Sequence, residues 1–239
     1  MKLDDYSKKF IHYHVDDISP IIVQAIQANP RLRTLADLGC GDGTILYALR
    51  KRNLLQQFET VYAVDLSEER VRNAGRIDPG IKGLVSDVCR IPQLRDGEID
   101  LVITNQVIEH VPDDEAMIRE VRRVLSPGGV AYLATVFKKW YGWYFYKNSE
   151  NRWVIDPTHV REYTEDQQLT GLFDAQGFEI LRSGKKLHWF PMTDFLLKRL
   201  GYRQDVYQTH PVLRACRKLR IPIFGYYNWE FVLSKRADR

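Results

Sequence analysis

The sequence predicts an α/β protein with a mostly parallel sheet and helices on both faces. Apolar runs that end in an acidic residue alternate with helical patterns, which calls for parallel strands joined by right-handed crossovers. A glycine-rich turn links the first of these runs to the first helix of the alternation. The 239 residues, 44% hydrophobic and 28% charged, suffice for one sizeable core and are typical of a globular chain.

The elements follow from local signals in chain order. An N-terminal helix is predicted from Ser19 as N-cap and Pro20 at the first helical position. Thr164 with Gln167 three residues later predicts the start of a late helix, which ends at Gly177. Strands are predicted at 35–38, 61–65, 81–86, 99–104, 130–136, 178–181 and 226–233, and short helices at 193–200 and 211–219.

The glycine-rich turn reads G-x-G-x-G, with Asp37 and Asp42 beside Gly39, Gly41 and Gly43. Alternating glycines let a ligand approach the backbone closely. A dinucleotide site spaces its glycines as G-x-G-x-x-G, and two carboxylates would repel its pyrophosphate. S-adenosylmethionine carries an ammonium and a sulfonium and no phosphate, so the same acids attract it. An ordinary tight turn is the alternative.

Two further acids follow predicted strands. Asp65 ends the second strand, where an acid accepts the ribose hydroxyls of a nucleoside. Asp87 follows the third strand and suits an adenine amino group. Acids at successive strand ends thus favour a nucleoside ligand.

At this point the sequence resembles the class I S-adenosylmethionine-dependent methyltransferases. The matching stretches, in the order of that family, are DLGCGDGT (37–44), VYAVDLS (61–67), LVSDV (84–88), DLVITNQVIEHV (100–111) and LSPGGVAYLAT (125–135). The resemblance implies a Rossmann-like sheet of seven strands whose last strand is antiparallel. It also implies an N-terminal helical cap and a helical insertion before the last strand.

The resemblance further implies S-adenosyl-L-methionine as cofactor and S-adenosyl-L-homocysteine as product. Asp37 would orient the methionine ammonium, and Asn105 or Gln106 would lie level with the methionine carbonyl. The implied cofactor-binding residues are Asp37, Gly39, Cys40, Gly41, Asp65, Leu66, Asp87, Val88, Asn105 and Gln106.

Two histidines are the predicted catalytic residues. His110 stands just past the fourth strand and suits a general base near neutral pH. His159 is similar to the histidine of the family's "H-x-x-x-[YF]-T" entry to a helix; capping local backbone is the alternative. Residues 106–110 resemble the "E-x-x-E-H" of metal-assisted ubiquinone-pathway O-methyltransferases, but Gln106 replaces the first acid. We therefore expect no metal.

We expect a single methyltransferase domain over residues 1–239. It comprises an N-terminal cap (1–32), a cofactor-binding core (33–136), an aromatic substrate loop (137–164) and a helical lid insertion (191–220). The aromatic loop has two alternatives: docking on the C-terminal segment, or resting at a membrane surface. The candidate substrate residues are Tyr13, His14, Trp140, Arg161 and Tyr163. For Tyr13 and His14, a packing role is the alternative.

Charge bears on the acceptor. From Arg182 onward there are 13 Lys and Arg against 4 Asp and Glu, whereas the preceding residues carry 22 against 27. This basic segment is either a solvated surface or a contact for an anionic acceptor. A "[DN]-P-P-[YF]" motif after the fourth strand is typical of methyltransferases acting on base amines, and Asn105 begins a different sequence here. Nucleic acid is therefore disfavoured.

Location follows from simpler features. Three cysteines, an odd number without metal-ligand spacing, predict a reducing compartment, which we take as cytoplasmic. The acidic N-terminus has no signal-peptide hydrophobic region. No apolar stretch approaches the ~20 residues of a membrane helix, while peripheral contact with a membrane stays open.

The sequence thus predicts a methyltransferase that O-methylates a small-molecule, sugar or lipid-linked acceptor by in-line transfer. A second hypothesis is a non-catalytic S-adenosylmethionine-binding protein. A third, disfavoured by glycine spacing and acid placement, is an NAD(P)-dependent oxidoreductase.

Overall fold

The computed structural model describes residues 12–236, apart from the side chain of Phe195. Residues 1–11 of the predicted cap lie outside the described residues. The chain divides into two compact units. The first unit takes up the chain to Asp87 together with Trp189–Pro222, and the second takes up Val88–His188 together with the chain from Ile223.

Helices and strands alternate through the first half of the chain, as the sequence predicts. The helices are α1 (Pro20–Ala28), α2 (Thr44–Lys51), α3 (Glu68–Gly75), α4 (Asp114–Val124), α5 (Asp166–Ala175), α6 (Met192–Arg199), α7 (Val206–Thr209) and α8 (Pro211–Cys216). The strands are β1 (Thr34–Leu38), β2 (Thr60–Asp65), β3 (Ile81–Val85), β4 (Ile99–Asn105), β5 (Leu125–Lys138), β6 (Tyr146–Lys147), β7 (Trp153–Val154), β8 (Phe178–Pro191) and β9 (Arg220–Lys235).

Seven strands form one sheet in the order β3-β2-β1-β4-β5-β9-β8, and β6 pairs with β7 in a separate hairpin. In the first unit β1 pairs parallel with β2, and β2 pairs parallel with β3. In the second unit β5 pairs parallel with β4 and antiparallel with β9. The predicted seven-stranded, mostly parallel sheet with an antiparallel last strand is confirmed.

The central strands form because their residues are apolar on both faces. Leu35 to Leu38 of β1 and Leu101 to Ile103 of β4 are buried without alternation. Such runs are typical of parallel strands covered on both sides. Each run ends at the edge where the polar site residues begin.

Element boundaries differ from the predictions where polar residues dominate. β8 runs to Pro191 instead of 181, because it is an edge strand whose many exposed side chains give no apolar signal. The N-cap of α5 is Glu165, with Gln168 completing the capping box, so the prediction of Thr164 with Gln167 is wrong by one residue. The Thr164 N–H instead donates to the Gln168 side chain, 2.8 Å away.

The insertion is present and contains three short helices, one more than predicted, since α7 was not expected. The predicted helix at 211–219 ends at Cys216. The predicted start of α1 is confirmed: the Ser19 hydroxyl accepts a hydrogen bond from the Ile21 N–H at 3.2 Å. Within residues 12–236, every helix is too short or too polar to cross a bilayer.

The glycine that begins α2 provides a test of the turn. Gly43 has φ of +77°, and a methyl group there would lie 2.4 Å from Ile77 Cδ1 and 2.9 Å from Ala74 Cα. We expect Gly43→Ala to lower the free energy of unfolding by about 1–3 kcal/mol, from left-handed strain and overpacking. Denaturant unfolding measures this change.

The matched control is Gly171→Ala, inside α5, where an added methyl meets nothing within 4 Å. Helix propensity there should raise the free energy of unfolding by about 0.5–1 kcal/mol. Equal effects of the two substitutions would contradict the described turn.

Candidate functional site

The turn after β1 is held open by backbone geometry. Gly39, Gly41 and Gly43 all have positive φ, at 73°, 52° and 77°. The N–H groups of Gly39 and Cys40 both donate to the Val64 carbonyl, at 2.8 and 2.9 Å. The turn is therefore fastened to β2 and presents its glycines at the strand ends.

The Asp65 side chain also holds the glycine turn against the end of β2. One carboxylate oxygen accepts from the Gly41 N–H at 3.0 Å, and the other accepts from the Ser67 N–H at 2.9 Å. A carboxylate has about four acceptor positions, so two remain for a ligand. The predicted ribose role stays a prediction, and the structure adds a role in shaping the turn.

Asp37 is a buried acid of the first unit with an unsatisfied oxygen. Its side chain is 2% exposed, and among residues 12–236 its Oδ2 atom has no hydrogen-bond partner. Burial, and then the charge of Asp65, raises the pKa of the Asp37 carboxyl to about 7. A buried carboxylate oxygen without a partner is a position that a cation stabilises.

The position of Asp42 in the turn suggested that it attracts a cationic ligand, but its carboxylate is used in internal hydrogen bonds. Its carboxylate accepts from the His12 N–H at 2.9 Å and from the Asn73 side-chain amide at 3.0 Å. His14 Nε2 lies 2.8 Å from the Asp42 carbonyl oxygen. Asp42 therefore holds the N-terminal segment on the turn, and the attraction for a cation comes from Asp37 and Asp65.

The other predicted cofactor residues differ in exposure. The Cys40 side chain is buried, and burial first, then nearby acids, raises the pKa of its thiol well above the usual value. This keeps the thiol neutral and rules it out as a ready nucleophile. Leu66 and Asp87 are exposed, whereas Val88, in the second unit, is buried.

In the second unit, β4 ends at Asn105 and the next residue is constrained. Gln106 has φ of +58°, unusual for a residue with a side chain. Its N–H donates to the Ala134 carbonyl and its side-chain amide to Asn228 Oδ1, both at 2.8 Å. Strain of this kind is often found at functional sites.

The two predicted catalytic histidines lie together. The His110 and His159 rings meet edge to face, with centroids 4.7 Å apart. His159 is buried and its Nδ1 lies 3.2 Å from Glu162 Oε1, while His110 Nδ1 lies 3.1 Å from the Thr158 hydroxyl. Their catalytic roles stay predictions. Their proximity shows that the stretch after β4 and the stretch around His159, which are distant in sequence, meet in the fold.

Glu109 completes this cluster as a buried acid. Its Oε2 accepts from the Thr135 hydroxyl at 2.8 Å, and Oε1 has no hydrogen-bond partner among the described residues. Burial raises the pKa of Glu109 to about 7 against the opposing charge of His159. Burial excludes a solvent-facing side chain here and leaves Glu109 able to accept a proton.

The electrostatics favour a protonated His159. Burial alone would lower its pKa, but the hydrogen bond to Glu162 and the charges of Glu109, Asp156 and Glu162 outweigh it and raise the pKa. The nearby His188 has a lowered pKa because of its own burial and the His159 charge. The cluster therefore places His159 among buried acids that raise its pKa.

The same cluster can accept a divalent cation. One ligand atom each from Glu109, His110 and His159 lies within 4.8 Å of the others. Two imidazoles and one carboxylate are a donor set that transition metals bind with coordination positions to spare. The expectation of no metal rested on Gln106 alone and did not foresee His159 as a third donor.

The predicted substrate residues of the N-terminal segment have packing partners. Tyr13 is buried, with its ring 5.4 Å from that of Tyr207. Burial, and then the Asp194 charge, raises the pKa of Tyr13 to about 12. His14 stacks on Tyr47 at 5.0 Å. The alternative of packing residues accounts for both, and a substrate role stays a prediction.

The predicted substrate residues of the second unit fall into two groups, those with internal hydrogen bonds and one that is exposed. The Arg161 guanidinium donates to the carbonyls of Ile108, Val111 and Pro112, and it fixes the loop that carries Glu109 and His110. The Tyr163 hydroxyl donates to Asp114 at 3.0 Å. Trp140 is 92% exposed, so it does not line an enclosed pocket within this unit.

Sequence reasoning missed two contributors. Glu162, three residues after His159, is its buried partner and also accepts from the Ile155 N–H at 2.7 Å. The H-x-x-E spacing was a usable signal. His12, whose Nδ1 lies 3.2 Å from a Cβ placed on Gly41, had no such signal.

Comparison with known proteins decides the family. A family model described as a methyltransferase domain matches residues 36–133, the segment that contains the turn and the strand-end acids. Residues 36–133 form a methyltransferase domain of the class I S-adenosylmethionine-dependent type. The match covers the cofactor-binding strands and stops before the insertion.

Two curated relatives of this methyltransferase are informative. The ubiquinone biosynthesis O-methyltransferase of Pseudomonas paraeruginosa is 31% identical over 127 residues, covering 50% of this chain and 52% of the relative. A probable S-adenosylmethionine-dependent methyltransferase of Mycobacterium tuberculosis is 26% identical over 166 residues, covering 69% and 56%. The chain thus spans only about half the length of these relatives.

A solved structure supports the fold. The [4+2]-cyclase SpnF superposes with a TM-score of 0.62 at 21% identity, over 96% of this chain and 89% of that one. At this identity the likeness concerns the methyltransferase fold alone.

The pKa of Asp37 leads to a test of stability. Because the folded-state pKa is raised, stability is lost as pH rises from the unfolded value of 3.8 to about 7. We expect Asp37→Asn to raise the free energy of unfolding at pH 8, by about 1–3 kcal/mol more than at pH 5. Denaturant unfolding at both pH values measures the difference.

Asp42→Asn is the matched control, because that carboxylate accepts two hydrogen bonds and its loss should destabilise the methyltransferase at pH 8. If Asp37→Asn destabilised the protein at pH 8 as Asp42→Asn does, the Asp37 carboxylate would have a partner that the structure lacks.

Proposed function

We propose that this chain catalyses methyl transfer from S-adenosylmethionine to an oxygen atom of a small-molecule, sugar or lipid-linked acceptor. The observation that carries the proposal is the buried carboxylate oxygen of Asp37 beside the glycine turn, which no described residue hydrogen-bonds. The ammonium of S-adenosylmethionine fits this position, whereas a pyrophosphate would be repelled there. The family assignment and the name of the tuberculosis relative support the same cofactor.

The residues of the first unit would hold the cofactor in distinct ways. Asp37 would receive the ammonium, and Asp65 would use its remaining acceptor positions for the ribose hydroxyls. Gly39 and Gly41, with positive φ, leave the backbone accessible for the methionine end. These contacts bind and orient, and orientation supplies much of the rate of an in-line displacement.

Bound cofactor supplies a methyl group on a sulfonium: the acceptor oxygen bonds to the methyl carbon as the carbon–sulfur bond breaks and its electron pair stays on sulfur. The acceptor hydroxyl must then lose its proton. We assign this to His110, the less buried of the paired imidazoles, with Glu109 and His159 beside it shaping the local electrostatics.

We infer from two observations that the acceptor atom is oxygen. The ubiquinone relative is named an O-methyltransferase. A base of the histidine type beside buried acids is what a hydroxyl acceptor needs, whereas an already nucleophilic sulfur or amine needs it less. The single-domain organisation and the cytoplasmic location stay predictions.

A second candidate is cofactor binding without methyl transfer. It is favoured by the engagement of Tyr13, Arg161 and Tyr163 in internal contacts, which leaves the acceptor site with few assigned residues. The likeness of the fold to a protein named as a cyclase is consistent with it. Calorimetry with S-adenosylmethionine, followed by a screen of hydroxyl acceptors for S-adenosylhomocysteine release, separates the two.

Cofactor affinity is the first quantitative test. Asp65→Asn removes a charge and an acceptor from the turn, so calorimetry should show binding of S-adenosylmethionine weakened by about 1–3 kcal/mol. Glu59→Gln, an exposed acid at the other end of the same strand, should leave affinity unchanged. Tight binding of NADH with no response to S-adenosylmethionine would refute the proposal.

Turnover is the second test. His110→Ala should lower the rate of S-adenosylhomocysteine release at least about tenfold, because general-base assistance is lost, with cofactor affinity nearly intact. His210→Ala, an exposed histidine of the first unit, is the control. Full activity of His110→Ala would remove His110 from the mechanism. Loss of wild-type activity with a chelator, restored by a divalent cation, would make the cluster a metal site.

A further inference from the structure

The insertion in the first unit turns aliphatic side chains outward. Met192, Leu196 and Leu200 recur every fourth residue along and just past α6, so they form one stripe. All three are exposed, Leu196 to 54% and Leu200 to 71%. The buried Leu197, which packs with Tyr13 and its neighbours, already anchors the helix from another side. The outward stripe is therefore additional to the core.

The stripe continues onto the segment before β9. The Met192 N–H donates to the Leu219 carbonyl at 3.4 Å, which puts Leu219 beside the first turn of α6. Leu219 and Ile221 are also exposed. We call these five residues the insertion surface: Met192, Leu196, Leu200, Leu219 and Ile221. An exposed aliphatic patch of this kind usually marks an interaction site.

Cations accompany these residues along the insertion. Between 192 and 221 there are seven Lys and Arg against two Asp. Arg217 and Arg220 are paired, with Asp194 and Asp17. Arg214 and Lys218 contact no acid among residues 12–236, and both line a cleft of about 420 Å³ in this unit. The lining of this cleft has five Lys and Arg against two acids, Asp16 and Asp17, so its balance of charge is positive and favours anionic groups.

This combination identifies the partner by its chemistry. Aliphatic side chains interleaved with Lys and Arg are typical of segments that lie in the interface of an anionic bilayer. A second copy would bring the same positive charge to the contact and be repelled. Nucleic acid offers phosphates but gives outward leucines nothing to bury against. The charge complementarity therefore favours an anionic lipid surface.

We propose that the insertion surface docks this chain on an anionic lipid bilayer. The five aliphatic side chains enter the boundary between headgroups and acyl chains, and Arg214 and Lys218 contact lipid phosphates at the cleft. Each inserted leucine stabilises the docked state by burying apolar surface, and each cation does so by Coulomb attraction. The docking is independent of methyl transfer.

The test is co-sedimentation of the full chain with vesicles. We expect binding to phosphatidylcholine vesicles that contain about one third phosphatidylglycerol, weaker binding to phosphatidylcholine alone, and release at high salt. The double substitution Leu196→Ser with Leu200→Ser should reduce the binding constant at least about tenfold. Leu181→Ser is the matched control in the second unit, since Leu181 is 55% exposed.

A second pair of variants tests the cations. Arg214→Gln with Lys218→Gln should weaken binding to the anionic vesicles by a similar factor, whereas Arg31→Gln with Arg119→Gln, both exposed, should not. Unchanged unfolding curves show that the variants fold. Inorganic phosphate at the concentration of vesicle phosphate should not displace the protein, because it provides no apolar boundary.

Three results would overturn the proposal. One is absence of binding to anionic vesicles, and another is equal binding by the leucine variant and the wild type. The third is dimerisation that the leucine variant abolishes while vesicles are ignored, since the occupant would then be a second copy. Calorimetry with S-adenosylmethionine is unaffected by any of these outcomes, so the docking and the methyl transfer are judged separately.

Discussion

Asp37 and Asp65 end adjacent parallel strands with both side chains buried, and the proximity of two carboxyls in one buried place costs free energy. The backbone N–H groups of Gly41 and Ser67 offset part of this cost, because they donate hydrogen bonds to the Asp65 carboxylate. Asp37 keeps an oxygen that has no hydrogen-bond partner within residues 12–236. The site thus contains a buried carboxylate oxygen that lacks a hydrogen bond from any described residue, and a cationic ligand would stabilise it.

The second unit repeats this principle with different groups. Glu109 is buried, and one of its oxygens has no hydrogen-bond partner in the described part of the chain. It lies beside two imidazoles that meet edge to face. Arg161 fixes the loop by three carbonyl contacts instead of reaching outward. A buried acid next to histidines can direct a proton or hold a divalent cation, and both uses depend on the same burial.

The sequence predicted what short apolar runs and strand-end acids specify: the parallel core, the turn and the two acids. It could not predict what long-range contacts decide. Asp42 looked like a ligand because of its position, but it is taken up by His12 and Asn73, thirty residues away in either direction. β8 was predicted at a third of its length because an exposed edge strand has no apolar period. The pairing of His110 with His159 depended on a fold that brings position 159 back to the end of β4.

The central claim is that the Asp37 carboxylate binds the cationic group of the cofactor. The carbon-13 NMR titration of the Asp37 side-chain carboxyl tests this claim directly. In the free protein the pKa should be about 7. Saturation with S-adenosylhomocysteine, which keeps the ammonium, should lower that pKa by more than about one unit, since an adjacent positive charge stabilises the carboxylate. A pKa that is the same with and without the ligand would contradict the account.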